Sequence, residues 1–208
     1  SNIILTKKNN YLLFFNKFLL ILHQYLKLKM MTKKDDLIFK GLHVIAWIIF
    51  VGLCIEAGAL LVNFVYSLFN PKVLGNLYEK LDLTLLYQQS KWVFFGVYSF
   101  VLFIAFLKAA LFYVVIELLL KLDLSNPFSS FVAKKIAQIS YYTLSIGLIS
   151  YIAKETTKNL AHHGYDVNLL NKFWVDSQAY VLMAAVIYVI HQIFKQGIAL
   201  QQENDLTI

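Results

Sequence analysis

"GLHVIAWIIFVGLCIEAGALLVNFVYSLFNP", Gly41 to Pro71, sets the class of this chain. Up to Phe69 its one formal charge is Glu56. At a rise of about 1.5 Å per residue such a run outreaches a hydrocarbon core of about 30 Å. Asn70-Pro71 closes it, because a residue before proline is pushed out of the helical region. Three further apolar runs follow, so the sequence predicts spans at 41–69, 92–122, 136–153 and 173–194. The fold expected is all-α: an integral membrane four-helix bundle.

Composition agrees. The 208 residues are 59% hydrophobic and 15% charged, with two prolines and eight glycines, against about 25% charged in an average soluble chain. Mean hydropathy is +0.62. All 19 cationic residues are lysine. Without a guanidinium there is no planar, bidentate reader of phosphate, so direct nucleic-acid contact is not expected. The formal charge of +7 is read instead as a signal of orientation. Lys27, Lys29, Lys33, Lys34 and Lys40 precede the first span; Lys121, Lys134 and Lys135 lie between the second and third; Lys195 follows the fourth. The other two loops are longer for the lysines they hold. By the positive-inside rule both termini face the cytoplasm of a bacterial inner membrane, with Trp92 and Trp174 as interfacial anchors on the outer side. The lone Cys54 excludes an intrachain disulfide.

Residues 1–30 stand apart from the membrane domain, 31–208. "YLLFFNKFLLILHQYLKLK" is broken by Lys17 and His23 and lacks an A-x-A site, so it is not read as a signal peptide. Asn10, Lys17, Gln24 and Met31 share a stripe that is mostly polar. Two readings stay open: a basic amphipathic helix on the inner leaflet, or an extension upstream of a start at Met30 or Met31.

Two polar stretches interrupt the pattern. The first is "LDLSNPFSSFVAKKI", Leu122 to Ile136, with the turn Asn126, Pro127, Phe128, Ser129. Pro127 cannot continue a helix, Ser129 or Ser130 can cap the next one, and Lys134 and Lys135 are then expected to meet lipid headgroups. The second is "IFKQGIALQQENDLTI", Ile193 to Ile208. Gly197 is expected to loosen the helix where it leaves the bilayer. Beyond it, Gly197, Leu200, Glu203, Asn204, Asp205 and Leu206 form either a solvated helix end or a docking handle for a cytoplasmic protein.

With the four-span layout, these two stretches resemble the bacterial membrane-protein family catalogued as domain of unknown function 2975, over roughly Met31 to Ile208. The family has an "NPFS"-like turn before its third helix and closes on a basic residue, a glycine and an "LQxENDLT" pattern. Lys195-Gln196 stands where the family usually has an arginine pair, which weakens tight phosphate recognition there. The resemblance implies a neighbouring small helix-turn-helix, DNA-binding regulator as partner, and no assigned biochemical activity.

Charges inside a span are costly and point to function by default. Glu56 lies roughly 22 Å and Lys108 roughly 21 Å along their antiparallel helices from the same boundary. An intramembrane ion pair is expected, as a structural staple or as part of a proton relay. His43, Glu117 and His191 fall at one level near the inner face. They are read as a polar cluster, with a metal or a haem weighed against ordinary hydrogen bonding. His162-His163 is read as a loop pair without a metal. No metal and no cofactor is expected. No G-x-S-x-G, Walker A or G-x-G-x-x-G stretch is present, and the chain is read as non-enzymatic. The leading function is regulation or signalling through a cytoplasmic partner. The alternatives are an accessory subunit of a larger membrane complex, and a small transporter or channel that would need to form a homo-oligomer.

Overall fold

A computed structural model describes residues 37–70, 82–123 and 127–205. The chain divides into two compact units, Ser1–Val44 and Ile45–Ile208. The N-terminal segment 1–30, together with Lys72, Lys80, Asn126 and Leu206, lies outside the described residues. Four helices are long and apolar enough to cross a membrane, and no strand occurs among the described residues. They are α1, Leu37–Phe69; α3, Lys91–Lys121; α4, Ser130–His162; and α5, Ser177–Asp205. A short helix α2, Thr84–Gln89, precedes α3. A 3₁₀ turn, Asn168–Phe173, precedes α5. The architecture is the all-α, four-helix membrane class expected from the apolar runs.

Side-chain caps fix where the helices begin. The Ser90 hydroxyl accepts from the Val93 N–H at 3.4 Å to start α3, and Ser129 accepts from the Val132 N–H at 3.3 Å to start α4. Each satisfies one of the backbone donors a helix start leaves unpaired. The Asp176 carboxylate accepts from the N–H groups of Gln178 and Ala179 at 3.1 and 3.2 Å. That cap starts α5 at Ser177, four residues later than the apolar run suggests; Phe173 belongs to the 3₁₀ turn instead. α4 ends at His162, and Gly164 just beyond its cap has a φ of 85°, the left-handed conformation that ends helices at low cost. The N–H groups of Gly164 and Tyr165 return to the carbonyls of Ala161 and Leu160.

The third span departs most from its sequence reading, running over 130–162 rather than 136–153. Of the four helices it is both the least apolar and the most buried. It packs on α3 along one side and on α5 along another. Ser140, Thr143, Ser150 and Thr157 are all buried on it. Thr143 and Thr157 donate to the carbonyls of Ile139 and Ala153 one turn back, and Ser140 donates across to Ala184 O at 2.8 Å. A hydroxyl satisfied by backbone can be buried where it would otherwise be costly; Ser150 differs from the other three, its hydroxyl buried with no acceptor among the described residues. A hydropathy window counts a buried hydroxyl as polar all the same and ends the span too early. Ser140 and Ser150 face protein rather than lipid; Ser145 is only half-buried and donates to Tyr141 O.

Within the second unit, α1 lies against α3. Tyr98 Oη donates to Leu60 O at 3.1 Å, Phe64 stacks on Tyr98, and Phe50 meets Tyr113. The densest packing is where α1 ends and α3 begins. There Leu60, Leu83, Leu86, Phe94 and Leu170 are at most 2% exposed, and α2 and the 3₁₀ turn close over them. Gln89 ties the two closing pieces together: its Nε2 donates to Gly164 O, and its Oε1 accepts from the Asp166 N–H.

Candidate functional site

The two polar stretches singled out in the sequence meet at the opposite end of the helices. Ser129 caps α4, and the backbone just before it turns Phe128 back toward α5. Its ring lies 5.2 Å from that of Phe194 and covers Gly197. A Cβ placed on Gly197 would stand 2.7 Å from Phe128 Cδ1, well inside contact distance. Gly197 is therefore a seat for an aromatic ring and not a loosened point. The helix passes through it unbroken to Asp205. Over its 29 residues α5 reaches about 43 Å, some 13 Å more than a hydrocarbon core needs. On the projecting part Leu200 is 61% exposed, Glu203 and Asn204 are exposed, and Asp205 closes the helix.

One turn inside this end, His191 Nδ1 donates to Ala133 O at 2.9 Å, linking α5 to the first turn of α4. Glu117 is held from two directions. Lys135 of α4 hydrogen-bonds to Oε2, and Lys121, four residues on, lies 3.5 Å from Oε1. Both ammonium groups also lie over the Phe131 ring, Lys121 at 5.1 Å and Lys135 at 5.6 Å from its centroid, where the ring quadrupole adds attraction. Lys135 thus turns inward, its side chain 12% exposed; only Lys134 is exposed as a headgroup contact would require.

The level polar cluster expected of His43, Glu117 and His191 therefore resolves into separate contacts. Glu117 belongs to an α3–α4 ion pair, and His191 to an α4–α5 backbone link. His43 lies in the first unit, half-buried on α1. Among the described residues no three His, Cys, Asp or Glu side chains are grouped to hold a metal ion.

Glu56 and Lys108 are both half-buried, but no ion pair joins them among the described residues, unlike Glu117 and Lys135. The expected staple is not formed. The contacts of Phe64 with Phe95 and of Phe50 with Tyr113 put Glu56 within roughly one turn of the depth of Lys108. Depth was legible from helical rise; the rotation of each helix about its axis was not.

The model of the family described as "Protein of unknown function (DUF2975)" matches residues 76–208. The chain belongs to this family. The match takes in both polar stretches, the Phe128–Gly197 contact and the Glu117–Lys135 pair, and leaves out α1, so it begins later than the Met31 that the resemblance implied. No curated protein and no solved structure matches the chain.

The two polar stretches contain Gly197 and the turn, but neither shows what joins them. Phe128 and Gly197 are about seventy residues apart in sequence, and neither shows its partner locally. A glycine inside an otherwise apolar helix was the available signal, since such a glycine often marks a close approach. Gln89, which clamps the other end, carries no sequence signal at all.

Proposed function

We propose that the chain is a non-catalytic, multi-pass protein of a bacterial inner membrane, with both termini in the cytoplasm. It acts as a regulatory or signalling element by presenting the end of α5 to a cytoplasmic partner, a small helix-turn-helix regulator. The observation that carries this reading is the continuation of α5 past the Phe128–Gly197 contact as an ordered, projecting helix. A partner meeting a preformed helix bears less of the ordering cost that a disordered tail would impose. Leu200 supplies an exposed apolar anchor among polar neighbours. The lysine distribution supports the orientation, and the family resemblance supports the class of partner.

The test is capture. The tagged chain is extracted in mild detergent, and its recovery of the helix-turn-helix protein encoded beside it is measured. Removing Glu203 to Ile208, or changing Leu200→Asp, is expected to abolish recovery while leaving the helical signal of the membrane domain unchanged. Undiminished recovery by both variants would sink the proposal. Reporters fused after Ile208 and inside the His162-His163 loop should read as cytoplasmic and external respectively; the reverse at both sites overturns the orientation.

A further inference from the structure

The outer boundary of α4 and α5 under the proposed orientation, the end away from the turn and tail, carries a hollow that none of the packing above uses. It is a cavity of about 760 Å³ lined by Lys154, Glu155, Asn171, Trp174, Asp176 and Gln178 among others. Two apolar hollows continue from it along the groove between the helices. The first, about 400 Å³, shares Tyr151, Ser177 and Gln178 with the polar cavity and is walled by Leu148, Val181, Leu182 and Ala185. The second, about 370 Å³, shares Val181 and Ala185 with the first and ends at Leu144 and Tyr188.

We propose that this continuous groove binds one phospholipid with a zwitterionic, amine-bearing headgroup, its head in the polar cavity and one acyl chain along the α4–α5 groove. Three observations point to that occupant. The first is length. From Ser177 to Tyr188 the groove follows α5 for about 17 Å, close to half of a hydrocarbon core of about 30 Å. A chain entering at the Trp174 level therefore reaches the middle of the bilayer.

The second is lining. Leu144, Leu148, Val181, Leu182 and Ala185 give the groove apolar walls along this stretch, which suit a hydrocarbon chain.

The third is charge. Basic pockets between membrane helices select anionic headgroups. This cavity instead carries one ammonium, Lys154, and two carboxylates, Glu155 and Asp176. That pattern complements a phosphate and an ammonium on one head. Both capping bonds of Asp176 go to Oδ1, which leaves Oδ2 able to accept from an amine. The Trp174 Nε1–H, on a cavity-lining residue, is covered and has no acceptor among the described residues; a turn of the ring toward the cavity would let it donate to a phosphate or ester oxygen.

The test uses the full chain in detergent, exchanged against an equimolar mixture of dioleoyl phosphatidylethanolamine and dioleoyl phosphatidylglycerol, with retained lipid read by native mass spectrometry. One retained phosphatidylethanolamine, favoured severalfold over phosphatidylglycerol, is expected. Ala185→Phe, on an exposed position of the groove, should cut retention about tenfold. Lys154→Ala with Glu155→Gln should keep a lipid but erase the headgroup preference. A second readout covers the case in which Ala185→Phe fails to fold. In a Trp47→Phe, Trp92→Phe background, phosphatidylethanolamine brominated near the head of its acyl chain should quench Trp174 more strongly than the brominated glycerol lipid. No retained lipid, equal retention and quenching by the two lipids, or retention unchanged by Ala185→Phe would each overturn the proposal. So would a disulfide between two copies of an Ala185→Cys variant in lipid vesicles, which would make the groove a protein interface.

Discussion

The two ends of the helices are built by opposite means. At one, α2 and the 3₁₀ turn close over a core in which Phe64, Tyr87, Phe94, Phe95 and Tyr98 meet ring to ring. Gln89 fastens the cover with two hydrogen bonds to backbone. At the other, one exposed ring on one glycine holds the turn against α5, and a small charged network surrounds Phe131. The first end buries large side chains completely. The second leaves Phe128 40% exposed and sends a helix outward. Packing is thereby densest at the closed end, and a thinly held contact sits at the end proposed to meet a partner. Elements that must engage partners are drawn from the less stable parts of a fold.

The largest expected effect tests the closed end. Phe94 is 0% exposed, so Phe94→Ala should cost about 3–5 kcal/mol, read as lost thermal stability in detergent. A loss below about 1 kcal/mol would mean that this end is no firmer than the other, and the contrast would fail.

Next comes the ring on the glycine. Gly197→Leu forces atoms into the Phe128 ring, an overpacking cost of about 1–3 kcal/mol. The better helix propensity of leucine returns up to about 1 kcal/mol of it. Combining it with Phe128→Ala removes the clash, so the double variant should be more stable than Gly197→Leu alone. If the clash is what displaces α5, partner capture should fall in Gly197→Leu and return in the double variant. A double variant no more stable than Gly197→Leu alone would remove Phe128 as the feature that seats the helix.

The smallest effect lies between the two ends. Glu56 and Lys108 do not form an ion pair, so Glu56→Gln and Lys108→Met should have additive effects on stability, to within about 0.5 kcal/mol. A coupling well above that would bring the two side chains together and shift α1 on α3 by about a turn.

Much of this was legible in the residues. Four apolar runs fix four crossing helices, because the cost of exposing backbone and charge to hydrocarbon is set segment by segment. Ser129 as a cap and Pro127 as a stop depend on neighbours within a few positions, so they too could be read directly.

What the tertiary structure alone decided depends on rotation and on distant partners. Helical rise sets how deep Glu56, Lys108, Glu117 and His191 lie. Which of them meet depends on how each helix is turned, and that follows from the shapes of surfaces contributed by other segments. So Lys135, expected at the headgroups, pairs with Glu117, while Glu56 and Lys108 at nearly matched depth do not pair. The length of α4 was hidden because a window scores as exposed the hydroxyls that packing against α3 and α5 buries, most of them bonded to backbone carbonyls. The tail beyond Gly197 read as a loosened end because glycine is a poor helix former on its own. Only the Phe128 ring, brought there by a turn far back in the chain, shows why a glycine stands at that position and why the helix runs on through it.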